Sequence, residues 1–101
     1  EGGEWRRARV PRHRNGQVFT ILTMCRALHT IEVGGLASKT QAAAWAAGAM
    51  PEWAGLIEGA LIWWREHWYD QSVDHSATLT ETVAFVDAVA DRIAATVRHR
   101  R

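Results

Sequence analysis

The chain contains a single cysteine, a single lysine and no long apolar run, and each scarcity removes a class of protein. With Cys25 alone, neither an internal disulfide framework nor a multi-cysteine zinc site can form, so stability has to come from packing. No apolar stretch approaches the roughly 18 residues that cross a bilayer. The opening Glu1-Gly2-Gly3-Glu4-Trp5-Arg6-Arg7 also lacks the apolar centre of a secretory signal, so the expected address is cytoplasmic. There is no Walker loop and no dinucleotide-binding fingerprint. Strand hairpins are missing too, because the short β-branched stretches all fall inside a 3.6-residue period. The first residue is Glu1 rather than Met, which is compatible with a piece of a longer protein.

What is present fits one ordinary domain: 101 residues, 48% hydrophobic and 23% charged, enough to bury a core but not to build two. The net charge of +1 hides a segregation. Residues 1–14 carry +3, residues 98–101 another +3, and the stretch between them −5. We therefore divide the chain into a basic N-terminal arm (1–14) and a helical domain (15–101). An acidic body repels polyanions except where its few cations converge, so nucleic acid is not an expected partner.

Four amphipathic segments follow from the spacing of apolar residues. The first spans 17–32, with Val18, Ile21, Leu22, Cys25, Leu28 and Ile31 on one face, and it stops at Gly34-Gly35, where positive φ is allowed. Ser38-Lys39-Thr40-Gln41 reads as a capping box opening an alanine-rich helix over 41–49, ended by Pro51. The third spans about 52–69, with two apolar stripes, Trp53/Ile57/Leu61/Trp64/Trp68 and Leu56/Ala60/Trp63/His67; a face this wide predicts a central core helix or an interface. Residues 70–76 read as a loop. Thr78-Leu79-Thr80-Glu81 is a second candidate capping box, before a helix that gathers Val83, Val86, Val89, Ala90, Ile93 and Val97. The predicted fold is all-α, an irregular bundle of four main helices with room for a short fifth at the N-terminus.

No catalytic set stands alone in these residues. Asp70 with Asp74, Asp87 with Asp91, and His67 with Asp70 have spacings that acid–base or metal chemistry uses. None has a third ligand, Arg92 can neutralise its neighbours, and they read as solvated faces, so no metal site is assigned. Cys25 reads as a buried structural thiol. The informative cations are Arg26, alone on an apolar helix, and Lys39, in the first turn of the next. A cation there opposes the helix dipole unless an anion is near, and a glycine turn joins the two. Either they converge on a phosphate-like anion, or Arg26 pairs with Glu32 or Glu81 and Lys39 is solvated.

The pattern Leu22-Thr23-x-Cys25-Arg26-Ala27-Leu28-x-Thr30, Gly35-Leu36-Ala37-Ser38-Lys39, Ala42-Ala43-x-Trp45-Ala46, Met50-Pro51, Leu56-Ile57 and Phe85-Val86 with Ile93 resembles the C-terminal all-α domain of the bacterial aminoglycoside adenylyltransferases that modify streptomycin and spectinomycin. The likeness covers about 19–97. It implies antibiotic resistance by nucleotidyl transfer, with the helical domain closing over a nucleotidyltransferase domain and the drug in the cleft. It also implies that Arg26 and Lys39 touch the triphosphate of ATP, and that Mg²⁺ is held elsewhere. The glycine-serine turn and carboxylates of the family's catalytic domain are not in this sequence, and where the family places aromatic and acidic drug-selecting residues this chain has arginines at 6, 7, 9, 12 and 14. Only Trp5 there is of the drug-contacting kind. The chain by itself is therefore expected to be inactive, with no tightly bound cofactor. Its Trp63/Trp64/Trp68 face is expected to meet a separate catalytic domain or a second copy. The competing reading is a non-enzymatic helical interaction or dimerisation module.

Overall fold

The computed structural model describes residues 10–11, 13–66 and 78–99. Four α-helices follow one another: α1 (Arg14–Glu32), α2 (Lys39–Ala49), α3 (Ala54–Glu66) and α4 (Leu79–His99), with a 3₁₀ turn, Pro51–Trp53, leading into α3. There is no strand among the described residues. The all-α expectation holds, while the expected end of the third helix at 69, the 70–76 loop and a short N-terminal helix lie outside the described residues. No described helix is long and apolar enough to cross a membrane.

Helix α1 begins three residues earlier than the apolar pattern predicts. The reason is an uncommon cap: His13 Nδ1 accepts from the Gly16 N–H at 3.1 Å, supplying the acceptor that Ser, Thr or Asp usually provides. Gly16 is required there, since a Cβ would lie 2.5 Å from Pro11 Cβ and 2.7 Å from His13 Cε1. The far end closes through Gly34, at φ +94°, whose N–H reaches the His29 carbonyl at 3.1 Å. Gly35 follows at φ +73°, so the reversal from α1 to α2 rests on two left-handed glycines. The Ser38 capping box forms as predicted, with Gln41 N–H donating to Ser38 Oγ and Ser38 N–H to Gln41 Oε1, both at 3.1 Å. At the start of α4 the Thr78 hydroxyl donates to Gln17 Oε1, so the residue read as a local cap makes a long-range tie.

The hub is α1 rather than α3. It packs on α2, α3 and α4, and its inward residues Val18, Ile21, Leu22, Cys25 and Leu28 are fully buried. Around them close Ala42, Ala43 and Ala46 of α2, Ile57 and Ala60 of α3, and Phe85 and Val89 of α4. The alanines of α2 let its backbone approach closely, and Trp53, Leu56, Leu61, Trp63 and Trp64 complete the core as half-buried side chains. Trp53 meets Phe85 edge to face at 5.5 Å. A smaller cluster joins Val10 to Leu79 and Val83.

Candidate functional site

Two charges stand against the helix dipole at the α1–α2 reversal. Glu32 is the last residue of α1, where the dipole is negative, and Lys39 is the first of α2, where it is positive. Each is disfavoured locally and must find its compensation across the fold.

Glu32 finds it in α4. Arg92 Nε and Nη2 donate to the two carboxylate oxygens at 2.7 and 2.8 Å, and Arg92 Nη1 donates to the Ala49 carbonyl at 3.0 Å. The Thr96 hydroxyl lies 3.0 Å from Glu32 Oε2 and 2.9 Å from the Arg92 carbonyl. One planar guanidinium thus ties the C-terminal ends of α1 and α2 to α4, the fork-to-fork geometry that arginine provides and lysine does not. The hydrogen bond to Glu32 raises the Arg92 pKa above its ordinary value. Arg92 therefore neutralises Glu32, 60 residues away, in a pairing that spacing along the chain did not offer.

Lys39 finds an aromatic ring. Its Nζ lies 5.6 Å from the centroid of Trp64 on α3, within range of a cation–π contact, and no acid stands in the first turn of α2. A parallel arrangement lies at the start of α1, where the Arg14 guanidinium sits 5.3 Å from the Trp63 centroid and Asn15 Oδ1 accepts from Trp63 Nε1 at 2.7 Å. Burial lowers the Arg14 pKa, opposed by the nearby charge of Glu81. Among the described residues the Arg14 Nε and the His29 Nδ1 are buried without a hydrogen-bond partner. His29 packs edge to face on Trp45 at 5.3 Å.

Arg26, a lone cation among apolar neighbours in the sequence, is exposed and lies on the solvent side of α1. It borders an open groove of about 430 Å³ whose lining also includes Thr23, Ala27, Thr30 and Ile31. Its candidate partners act elsewhere, Glu32 on Arg92 and Glu81 on Arg14. The groove residues around Arg26 and the ring under Lys39 belong to different helices. Trp63 and Trp64 are half-buried, each with a cation over its face, and Trp68 lies outside the described residues, as do His67, Asp70 and Asp74. Cys25 is buried, and burial pushes its thiol up to about 12, the state of an inert structural side chain. Among the described residues no three His, Cys, Asp or Glu side chains gather as a metal site.

The Arg14–Trp63 and Arg92–Glu32 contacts escaped sequence reasoning. A signal for the second was present, since an acid at a helix C-terminus needs a cation; for the first there was none beyond the abundance of arginine and tryptophan. The family model for the aminoglycoside adenylyltransferase C-terminal domain matches residues 8–92. Comparison with curated proteins and with solved structures gives no match.

Proposed function

The chain belongs to the aminoglycoside adenylyltransferase C-terminal domain family, and from that premise we propose that it is the helical side of an aminoglycoside nucleotidyltransferase site. In this reading Arg26 and Lys39 bind the phosphates of a nucleotide triphosphate such as ATP, and a separate nucleotidyltransferase domain supplies the chemistry. The observation that carries it is Lys39, which adds its charge to the positive end of α2 in a turn free of acids. Trp64 holds the ammonium without neutralising it, so ammonium and dipole together attract an anion. Arg26, exposed beside the hydroxyl-bearing Thr23 and Thr30, offers a guanidinium that grips two phosphate oxygens in fixed geometry.

The role of these cations is to orient the triphosphate and to offset the charge that develops on departing pyrophosphate, the usual protein contribution to phosphoryl and nucleotidyl transfer. Mg²⁺ and the carboxylates that activate the drug hydroxyl belong to the catalytic domain in this reading. That domain closes on the Lys39/Trp64 side, because a nucleotide held by Lys39 has to reach it. Its partners are thus nucleotide, aminoglycoside and that domain, in the cytoplasm.

NMR titration with ATP and with pyrophosphate tests the reading. Amides of Ser38 to Gln41 are expected to shift with a Kd of about 1 mM, more weakly at high salt. Arg26→Ala is expected to cost more affinity than Lys39→Ala, and the chain alone to yield no adenylylated streptomycin or spectinomycin. Shifts confined to the arginine-rich ends, with residues 38–41 unmoved, would favour the interaction-module reading instead.

A further inference from the structure

Helices α2 and α3 run antiparallel, so that Lys39 at the start of one lies over Trp64 near the end of the other. From that contact Ala43 and Ala47 follow Lys39 at four-residue steps along one face of α2, and Leu61 and Ile57 recede from Trp64 along α3. Between the two rows lies a depression of about 260 Å³ lined by Ala43, Ala44, Ala47, Ile57, Glu58 and Leu61. Three of these side chains stop at Cβ, which leaves the α2 wall flat. Among the described lining residues the one polar side chain is Glu58, and its carboxylate enters no hydrogen bond or ion pair. The depression therefore has ends of opposite kind. At one stands the Lys39 ammonium on the positive end of α2, and at the other a group that only accepts hydrogen bonds. Lys39 and Ala47 are separated by about 12 Å of helix. That span matches the distance from the β-phosphate to the far edge of the base in an extended purine nucleotide.

We propose that this depression is the base subsite of the nucleotide whose phosphates Lys39 holds: it takes the adenine ring, and Glu58 accepts from the exocyclic amine. The inference rests on the nucleotide reading and adds a place for the base. Charge fixes the orientation. The carboxylate repels phosphate while the ammonium and the helix dipole attract it, so the base points toward Glu58 and the phosphates toward Lys39. The flat alanine wall receives one face of a planar ring, and both surfaces leave water. An aminoglycoside fits this wall badly, because its hydroxyls would give up water for a surface that offers no partner. Glu58 also discriminates between bases. Adenine presents an N–H where hypoxanthine presents a carbonyl oxygen, and a carboxylate facing that oxygen loses the hydrogen bond and meets a second acceptor.

NMR titration of the full chain with ATP, inosine triphosphate and tripolyphosphate provides the test. The two nucleotides carry the same phosphates, so the arginine-rich ends bind both alike and the difference between them reads the base. All three ligands are expected to shift Ser38 to Gln41. ATP is expected also to shift Ala44, Ala47 and Leu61, and to bind about fivefold tighter than inosine triphosphate. Glu58→Gln is expected to bring the two nucleotides within about twofold of each other, because an amide can offer either a donor or an acceptor. Ala44→Leu fills the depression from an exposed position and is expected to weaken ATP about fivefold while leaving tripolyphosphate unchanged. Both positions are exposed, so helical circular dichroism should be unchanged. Equal affinity for the two nucleotides, a preference that survives Glu58→Gln, or residues 44, 47 and 61 unmoved by ATP would each overturn the base subsite, and shifts at 38–41 would then leave the phosphate reading standing. No shift at 38–41 with any of the three would overturn both.

Discussion

Helix α1 is tied to α4 by polar groups near both of its ends, but with different chemistry at each. Near the N-terminal end Gln17, with no exposed surface, accepts from the Thr78 hydroxyl, and the Thr82 hydroxyl lies 3.3 Å away. All three groups are neutral. At the C-terminal end a full ion pair joins Glu32 to Arg92, whose side chains keep 17% and 37% of their surface in water. Depth accounts for the difference. A buried amide with hydroxyl partners loses little on desolvation, whereas a charge taken fully from water costs more than its pairing returns. At the rim water shares that cost, and bidentate geometry adds the Ala49 carbonyl as a third acceptor.

The sharpest way to break this comparison is to put a charge where the fold tolerates none. Gln17→Glu, nearly isosteric, is expected to cost about 3 kcal/mol at pH 7. Burial raises the folded-state pKa of the new carboxyl above its unfolded value. Stability should therefore be retained below about pH 4 and lost as the pH rises through the folded-state pKa. Urea denaturation at pH 4 and pH 7 reads both numbers; a loss that is the same at the two pH values would show that the site is wetter than it looks.

A smaller effect is expected at the charged end. Arg92→Met strands the Glu32 carboxylate and the Ala49 carbonyl, for a loss of about 2 kcal/mol. Adding Glu32→Gln should recover part of it, because no unpaired charge remains. If Arg92→Met were neutral in chemical denaturation, the clasp would be a surface pair and the contrast with Gln17 would lose its meaning.

Between these two ends the interior of α1 is apolar, and Cys25 reports on it. Its thiol is pushed from the ordinary 9.0 up to about 12 by burial, so the folded state holds its proton more tightly than the unfolded chain. That contribution is complete below pH 9 and is lost as the pH rises toward 12. At pH 10 the loss attributable to this group should be about 1 kcal/mol. Comparison of melts at pH 8 and pH 10 for the parent and Cys25→Ala isolates it; equal pH dependence in both would place the alkaline sensitivity elsewhere.

Legibility in the sequence followed range. The Ser38–Gln41 cap was readable because both partners lie within one turn, and the glycine reversal because positive φ narrows the choice of residue. The start of α1 was placed late because His13 is not a usual cap. Arg26 has apolar neighbours in the chain, yet it occupies the solvent side of the helix. Glu32 and Lys39 both stand against a helix dipole. Their compensations, Arg92 and Trp64, lie 60 residues away in the first case and on another helix in the second. Nothing in local spacing chooses such partners.

By itself, then, the order of residues determined an all-α chain: where 3.6-residue periods run, where glycine and proline end them, which faces are apolar, and which family the pattern resembles. These are short-range consequences of backbone sterics and side-chain period. The tertiary structure alone decided that α1 is the hub, that Trp64 carries Lys39 and Arg92 grips Glu32, and that Ile62 faces water. Packing assigns those roles because many helix faces are apolar enough to be buried, and only the joint fit of four helices settles which ones touch.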